Sequence, residues 1–249
     1  MSLIPVKFKE QWVSLRGIAF DKDGTLIESY PYWHELWKLK KGLISEMAGE
    51  RIASLWEEEF GAKGGVFDRR GPFTTAPFIE ERTLIAGLLY RSKKWTWDIC
   101  REKAQSVYDE SNRLLDLEKA IKLRPGALEL VHQLKAAGMP IGIVTTDSRE
   151  YAQKTLALIG LPESFWDFFY TACDGLQPKP APDMVLSACT DVGCRPEEMA
   201  VVGDSIMDAK MAKNAGAIAV SVPEVHEDIA FLRPVADIVL SGLYDISLK

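Results

Sequence analysis

Asp21 and Asp23 stand two positions apart in "GIAFDKDGTLIES" (17–29), and Asp204 and Asp208 stand one helical turn apart in "GDSIMD". Thr145 and Thr146 close the run "PIGIVTT", and Lys179 lies in "DGLQPKPAP" between Pro178 and Pro180. An Asp-Gly pair alone would mark no more than a turn. Acids at 204 and 208 would also stabilise the start of a helix, a role compatible with metal binding. Brought to one cleft, however, four carboxylates repel each other and reject any anion. A divalent cation removes the conflict, and oxygen-only ligands suit Mg²⁺. Lys179 adds a further positive charge from a loop stiffened by its two prolines. With both cations such a site accepts a phosphate dianion.

The elements that must position these residues are legible as apolar runs. Residues 17–20 read as a buried strand ending at Asp21. "RPGALELVHQLKAAG" places Ala127, Leu128, Leu130, Val131 and Leu134 at helical spacing, with Pro125 near its start and Gly138 closing it. Strand-type runs follow at 140–146, 199–203, 217–222 and 236–240, with helical patterns at about 149–159 and in "DAKMAKNAG". Strand and helix in alternation predict a parallel sheet covered on both faces. In such sheets ligands bind beyond the carboxyl ends of the strands. Asp21, Thr145 and Asp204 stand there. Alternation of strand faces predicts that Lys22 points away from Asp21 and Asp23.

Residues 28–121 differ in character. They are helical in pattern and poor in strands, with Trp33, Leu36, Trp37, Ile44, Met47, Ile52, Leu55 and Trp56 near a 3.6-residue period. Two more helical stretches, at about 78–90 and 97–119, follow the loop "GAKGGVFDRRGPFTTAP". Five of the seven tryptophans fall in this segment and are expected in its core. The expected fold is therefore α/β, a Rossmann-like parallel-sheet core with an inserted α-helical domain. The domains expected are core 1–27, helical insert 28–121 and core 122–249.

The motifs "DKDGT", "VTT", "KPAP" and "GDSIMD", in this order, resemble the haloacid dehalogenase-like hydrolase superfamily. "FDKDGTLIES", "PGALELVHQLKAAG" and "KPAPDM" look most like its phosphoglycolate phosphatase-like branch, with the insert as a helical type 1 cap. The resemblance implies a Mg²⁺-dependent phosphatase of a small phosphate monoester, phosphoglycolate-like or a sugar phosphate. It assigns Asp21 as the nucleophile that forms an aspartyl-phosphate and Asp23 as the general acid/base. Thr145 would hold a phosphoryl oxygen and Lys179 would stabilise its charge. Mg²⁺ would be held by Asp21, Asp204 and a backbone carbonyl near Asp23, supported by Asp208, Thr146 and Gly203. Asp208 would act through water or by orienting Lys179. Thr146 stands where the branch usually has Asn. Lys63, Arg69 and Arg70 lie on the insert's loop; Arg69 and Arg70 are the candidate substrate contacts, against a plain solvated loop. A phosphosugar mutase uses the same motifs, and a non-catalytic metabolite-binding module could be built on the same scaffold. A dehalogenase lacks the acid equivalent to Asp23.

Composition agrees with an enzyme of small metabolites. The chain has 249 residues, 47% hydrophobic and 27% charged, with a net charge of -6. An acidic balance disfavours nucleic acid as a partner. No run approaches the roughly 18 apolar residues of a membrane span. The N-terminus has no signal-like apolar core, so a cytoplasmic protein is expected, as a monomer or homodimer. Cys100, Cys173, Cys189 and Cys194, and the three histidines, lack zinc-ligand spacing. Inert thiols in a reducing compartment are expected.

Overall fold

The computed structural model describes residues 3–76, 78–171 and 174–248. Two compact units form: one runs to Ser29 and resumes at Ile121, and the other is Tyr30–Ala120. The nine strands among the described residues all belong to the first unit. They are β1 (Ile4–Phe8), β2 (Gln11–Leu15), β3 (Gly17–Phe20), β4 (Ile141–Val144), β5 (Phe168–Tyr170), β6 (Met199–Gly203), β7 (Ile218–Ser221), β8 (Ile238–Val239) and β9 (Ile246–Leu248).

The main sheet is parallel, in the order β5-β4-β3-β6-β7-β8. Every residue of β3, β4 and β6 is buried. This explains why these strands read as continuous apolar runs rather than alternating ones. β3 lies between β4 and β6, and the strand order reverses direction there. The crevice beyond the carboxyl ends of these strands is where open α/β sheets take ligands. Close packing sets one residue type on β4: a Cβ on Gly142 would come within 2.2 Å of the Phe168 ring. One layer of core joins Ala19, Val144, Val201 and Ala219 to the helices Asp183–Val192 and Ile206–Ala215.

Five elements depart from the sequence expectation. β1, β2 and β9 form a separate antiparallel sheet in the order β2-β1-β9. The β1–β2 hairpin turns at Lys9 and Glu10, with Lys9 at φ 56. A positive φ on lysine carries none of the Asn-Gly or Asp-Gly signal that reveals such turns. β5 is only three residues long, and the helix Asp183–Val192 hides behind a proline-rich loop.

The second unit is helical, built from Ser29–Ala48, Glu50–Phe60, Phe78–Lys93, Trp97–Leu114 and two short helices. Its core gathers Ile44, Ile52, Trp56, Phe60, Ile85, Leu89 and Val107. Trp56 is wholly buried, and Trp37 and Trp95 pack against that core. Trp97 is 42% exposed, against the expectation of core placement. The helix containing Lys40 is tied to Glu81 by a buried ion pair of 2.5 Å. Cys100 and Cys189 are buried free thiols and Cys194 a half-buried one. Cys173 lies outside the described residues. No helix among the described residues is long and apolar enough to cross a membrane.

Candidate active site

Three neighbouring strands deliver the site. β3 ends at Phe20 and hands over to Asp21, whose N–H donates to the Val202 carbonyl of β6 at 2.9 Å. The chain then folds back, with the amides of Leu26 and Ile27 both donating to the Lys22 carbonyl. Gly24 makes this turn possible at φ +76. A Cβ there would also fall 2.3 Å from Asp204 Oδ2, so only glycine admits the Asp204 carboxylate. Thr25, buried, donates weakly to Asp204 Oδ1 at 3.4 Å. Arg124 locks the loop from below, donating to the carbonyls of Gly24, Val222 and Pro223 at 2.5, 2.9 and 3.0 Å.

β6 ends at Gly203, where a Cβ would clash with Asp208 at 2.3 Å. Ser205 then caps the helix Ile206–Ala215 reciprocally with Asp208. The Ser205 amide and hydroxyl donate to Asp208 Oδ2 at 3.0 and 2.6 Å. That leaves Asp208 Oδ1 for Lys179, whose Nζ lies at 2.6 Å. The same ammonium reaches Asp21 Oδ1 at 2.5 Å. One lysine thus bridges the end of β3 to the helix after β6.

Asp21, Asp204 and Asp208 bring carboxylate oxygens within 4.8 Å of one another. This all-oxygen set suits a hard divalent cation such as Mg²⁺. Burial pushes the Asp21 carboxyl up to about 7, with the Lys179 ammonium opposing and Asp208 adding to the rise. Burial lowers Lys179, but Asp208 and Asp21 outweigh it and hold the ammonium above its ordinary range.

Asp23 is oriented otherwise. Its Oδ1 lies 2.5 Å from the Nζ of Lys22, which also sits 2.9 Å from Asp147 Oδ2. Lys22 does not point away from the acids. Strand alternation stops at Phe20, and the turn after Asp21 swings the side chain inward, where it is fully buried. Burial depresses its pKa, but Asp23 and Asp147 overcome that and raise it. Asp147 is pushed up to about 6 by burial and by Asp23 beside it, against the pull of Lys22. Asp147, Arg124 and Ser205 were not among the residues expected to act. The strand-end rule could have found Asp147, which directly follows Thr145 and Thr146.

Thr145 is buried and its Oγ1 accepts from the Asp147 amide at 3.3 Å, whereas Thr146 is exposed. Within the second unit, the Arg69 guanidinium stacks 5.3 Å over the Trp33 ring, and the Arg70 amide donates to Asp68 at 3.0 Å. Lys63 pairs on the surface with Glu58 at 3.0 Å. Asp23 and Asp147 thus share the Lys22 ammonium, and Asp21 and Asp208 that of Lys179. The excess negative charge is what a divalent cation would offset.

Residues 15–216 match the haloacid dehalogenase-like hydrolase family. Hexitol phosphatase A of Escherichia coli (strain K12) is 30% identical over 94% of both chains. Validoxylamine A 7'-phosphate phosphatase of Streptomyces hygroscopicus subsp. limoneus is 32% identical over 53% of this chain, a match spanning 61% of that protein. A haloacid dehalogenase-like hydrolase of family IA, variant 3, from Entamoeba histolytica shares the fold, with a TM-score of 0.65 at 19% identity over 94% of this chain and 96% of that one. The chain belongs to the haloacid dehalogenase-like hydrolase family, among relatives that are phosphatases.

Proposed function

We propose that this phosphatase is Mg²⁺-dependent and hydrolyses a small phosphate monoester through an aspartyl-phosphate on Asp21. The observation that carries the reading is the Lys179 ammonium held between Asp21 and Asp208 while Asp204 closes the oxygen set. Asp21 Oδ attacks phosphorus, and the bond from phosphorus to the leaving oxygen breaks. Asp23 protonates that oxygen and then takes a proton from the water that releases phosphate. Thr145 Oγ1 holds a phosphoryl oxygen, and Lys179 stabilises charge on the transferring group. Asp21, Asp204 and the backbone carbonyl near Asp23 would hold the ion, with Asp208 behind them. When bound, Mg²⁺ supplies positive charge for the phosphoryl oxygens.

The relatives' polyol and sugar-like phosphate esters support a small sugar or polyol phosphate as substrate, with phosphoglycolate as the smaller alternative. The helical unit would serve as cap, with Arg69 and Arg70 reading the ester's remote end, in a cytoplasmic monomer or homodimer. Inorganic phosphate release from a panel of these esters, with Mg²⁺ or with EDTA, tests the reading. Metal-dependent release is expected; no release from any ester would refute it.

A further inference from the structure

We infer that Lys22 and Asp147 form a clamp that positions Asp23 for its proton transfer to the leaving oxygen. The inference rests on the acid/base role proposed for Asp23. The Asp23 side chain is 47% exposed, so packing alone does not hold its carboxylate in one rotamer. The group that holds it is an ammonium with no exposure at all, 2.5 Å from Oδ1. A buried lysine between a strand end and a loop is costly unless its partners are fixed. Here each one is.

The Lys22 main chain is pinned by two amides, from Leu26 and Ile27, donating to its carbonyl. The Tyr151 ring flanks Nζ at 5.3 Å. Asp147 stands beside both Lys22 and Asp23, its carboxylate close to that of Asp23 and 2.9 Å from Lys22 Nζ, and its amide donates to Thr145 Oγ1. Ser148 next to it caps the helix Arg149–Leu158, so Asp147 sits on a rigid helix entry. The clamp thus references the Asp23 carboxylate to the strand end that carries Thr145. It takes up Oδ1 of a carboxylate that stays half exposed and therefore accessible to a leaving group.

An acid that protonates the leaving oxygen matters for alkyl esters, whose alkoxides leave poorly, and much less for p-nitrophenyl phosphate, whose phenolate leaves unprotonated. The test is kcat/KM for both esters, with glycerol phosphate as the alkyl probe, in wild type, Asp23→Asn, Lys22→Met and Asp147→Asn. The constant kcat/KM reports the first, ester-cleaving transfer. Because the readout is the alkyl-to-aryl ratio within one sample, any unfolded fraction cancels. Asp147→Asn adds a variant that leaves Lys22 paired to Asp23.

The expected result is an alkyl loss exceeding the aryl loss by about tenfold or more in Lys22→Met, a part of the roughly 10²–10⁴-fold that general acid catalysis supplies. A smaller change of the same sense is expected in Asp147→Asn. Equal losses on both esters in both variants would overturn the clamp while leaving the phosphatase intact. No metal-dependent turnover by the wild type, or no alkyl bias in Asp23→Asn, would overturn the acid/base reading itself and the clamp with it.

Discussion

Replacing Lys179 by methionine removes the one cation that Asp21 and Asp208 share. Its side chain is 5% exposed, and theirs are 11% and 3% exposed. Breaking such a buried pairing by deleting one partner costs about 3–5 kcal/mol. For a chain of this length each kcal/mol shifts Tm by roughly 2–4 °C, so the ion-free variant should melt on the order of 10 °C lower. The loss depends on pH in a defined sense. Asp21 is raised in the folded protein from 3.8 to about 7, so the folded state binds more protons there than the unfolded state does. Its contribution to stability is therefore present at low pH and is lost as pH rises through that window. Without Lys179 the carboxyl has no opposing cation and moves higher still. The deficit against wild type should then be larger at about pH 8 than at about pH 5, where the acid is protonated in both proteins. Thermal unfolding in EDTA at the two pH values measures it. Mg²⁺ added afterwards should recover part of the loss by taking the ammonium's place among the carboxylates. A deficit under about 2 °C at both pH values, or one larger in acid, would refute the electrostatic argument.

Three further perturbations have defined outcomes. Gly24→Ala places a Cβ 2.3 Å from Asp204 Oδ2 at φ +76, so the Mg²⁺ concentration for half-maximal phosphate release should rise at least tenfold, with about 1–2 kcal/mol of stability lost in urea unfolding. Lys40→Met should destabilise the helical unit by about 3–5 kcal/mol in the same assay, and adding Glu81→Leu should recover most of it, since an apolar replacement of both partners is close to neutral. Arg70→Ala should raise KM for the preferred ester several-fold more than for a small generic ester; equal changes for the two would return the loop to a solvated role.

The legible part of the fold was its centre. β3, β4 and β6 are buried on both faces, so their residues form unbroken apolar runs, and the polar residue that ends each run is a candidate-site residue. Gly24 was legible as a turn residue and Gly203 as the end of a strand, but their close approach to Asp204 and Asp208 is a tertiary fact. Lys22 was misread because a strand's two-residue period was carried two residues past the strand's end. Arg124 was hidden for a different reason. Its work is to donate to three carbonyls from distant loops, and no local pattern marks such a residue. The short strand Phe168–Tyr170 and the glycine-free hairpin carry too little periodicity to stand out from loop.

The central claim is that Asp21 carries the phosphoryl group. Acid-quenched samples of wild type and Asp21→Asn, mixed with Mg²⁺ and a turned-over ester, would be digested and the peptides weighed. The account predicts one added phosphoryl group on the peptide containing Asp21 in the wild type, none in the variant, and loss of phosphate release with it. A variant that still releases phosphate at the wild-type rate, or a phosphoryl group trapped on another residue, would contradict it.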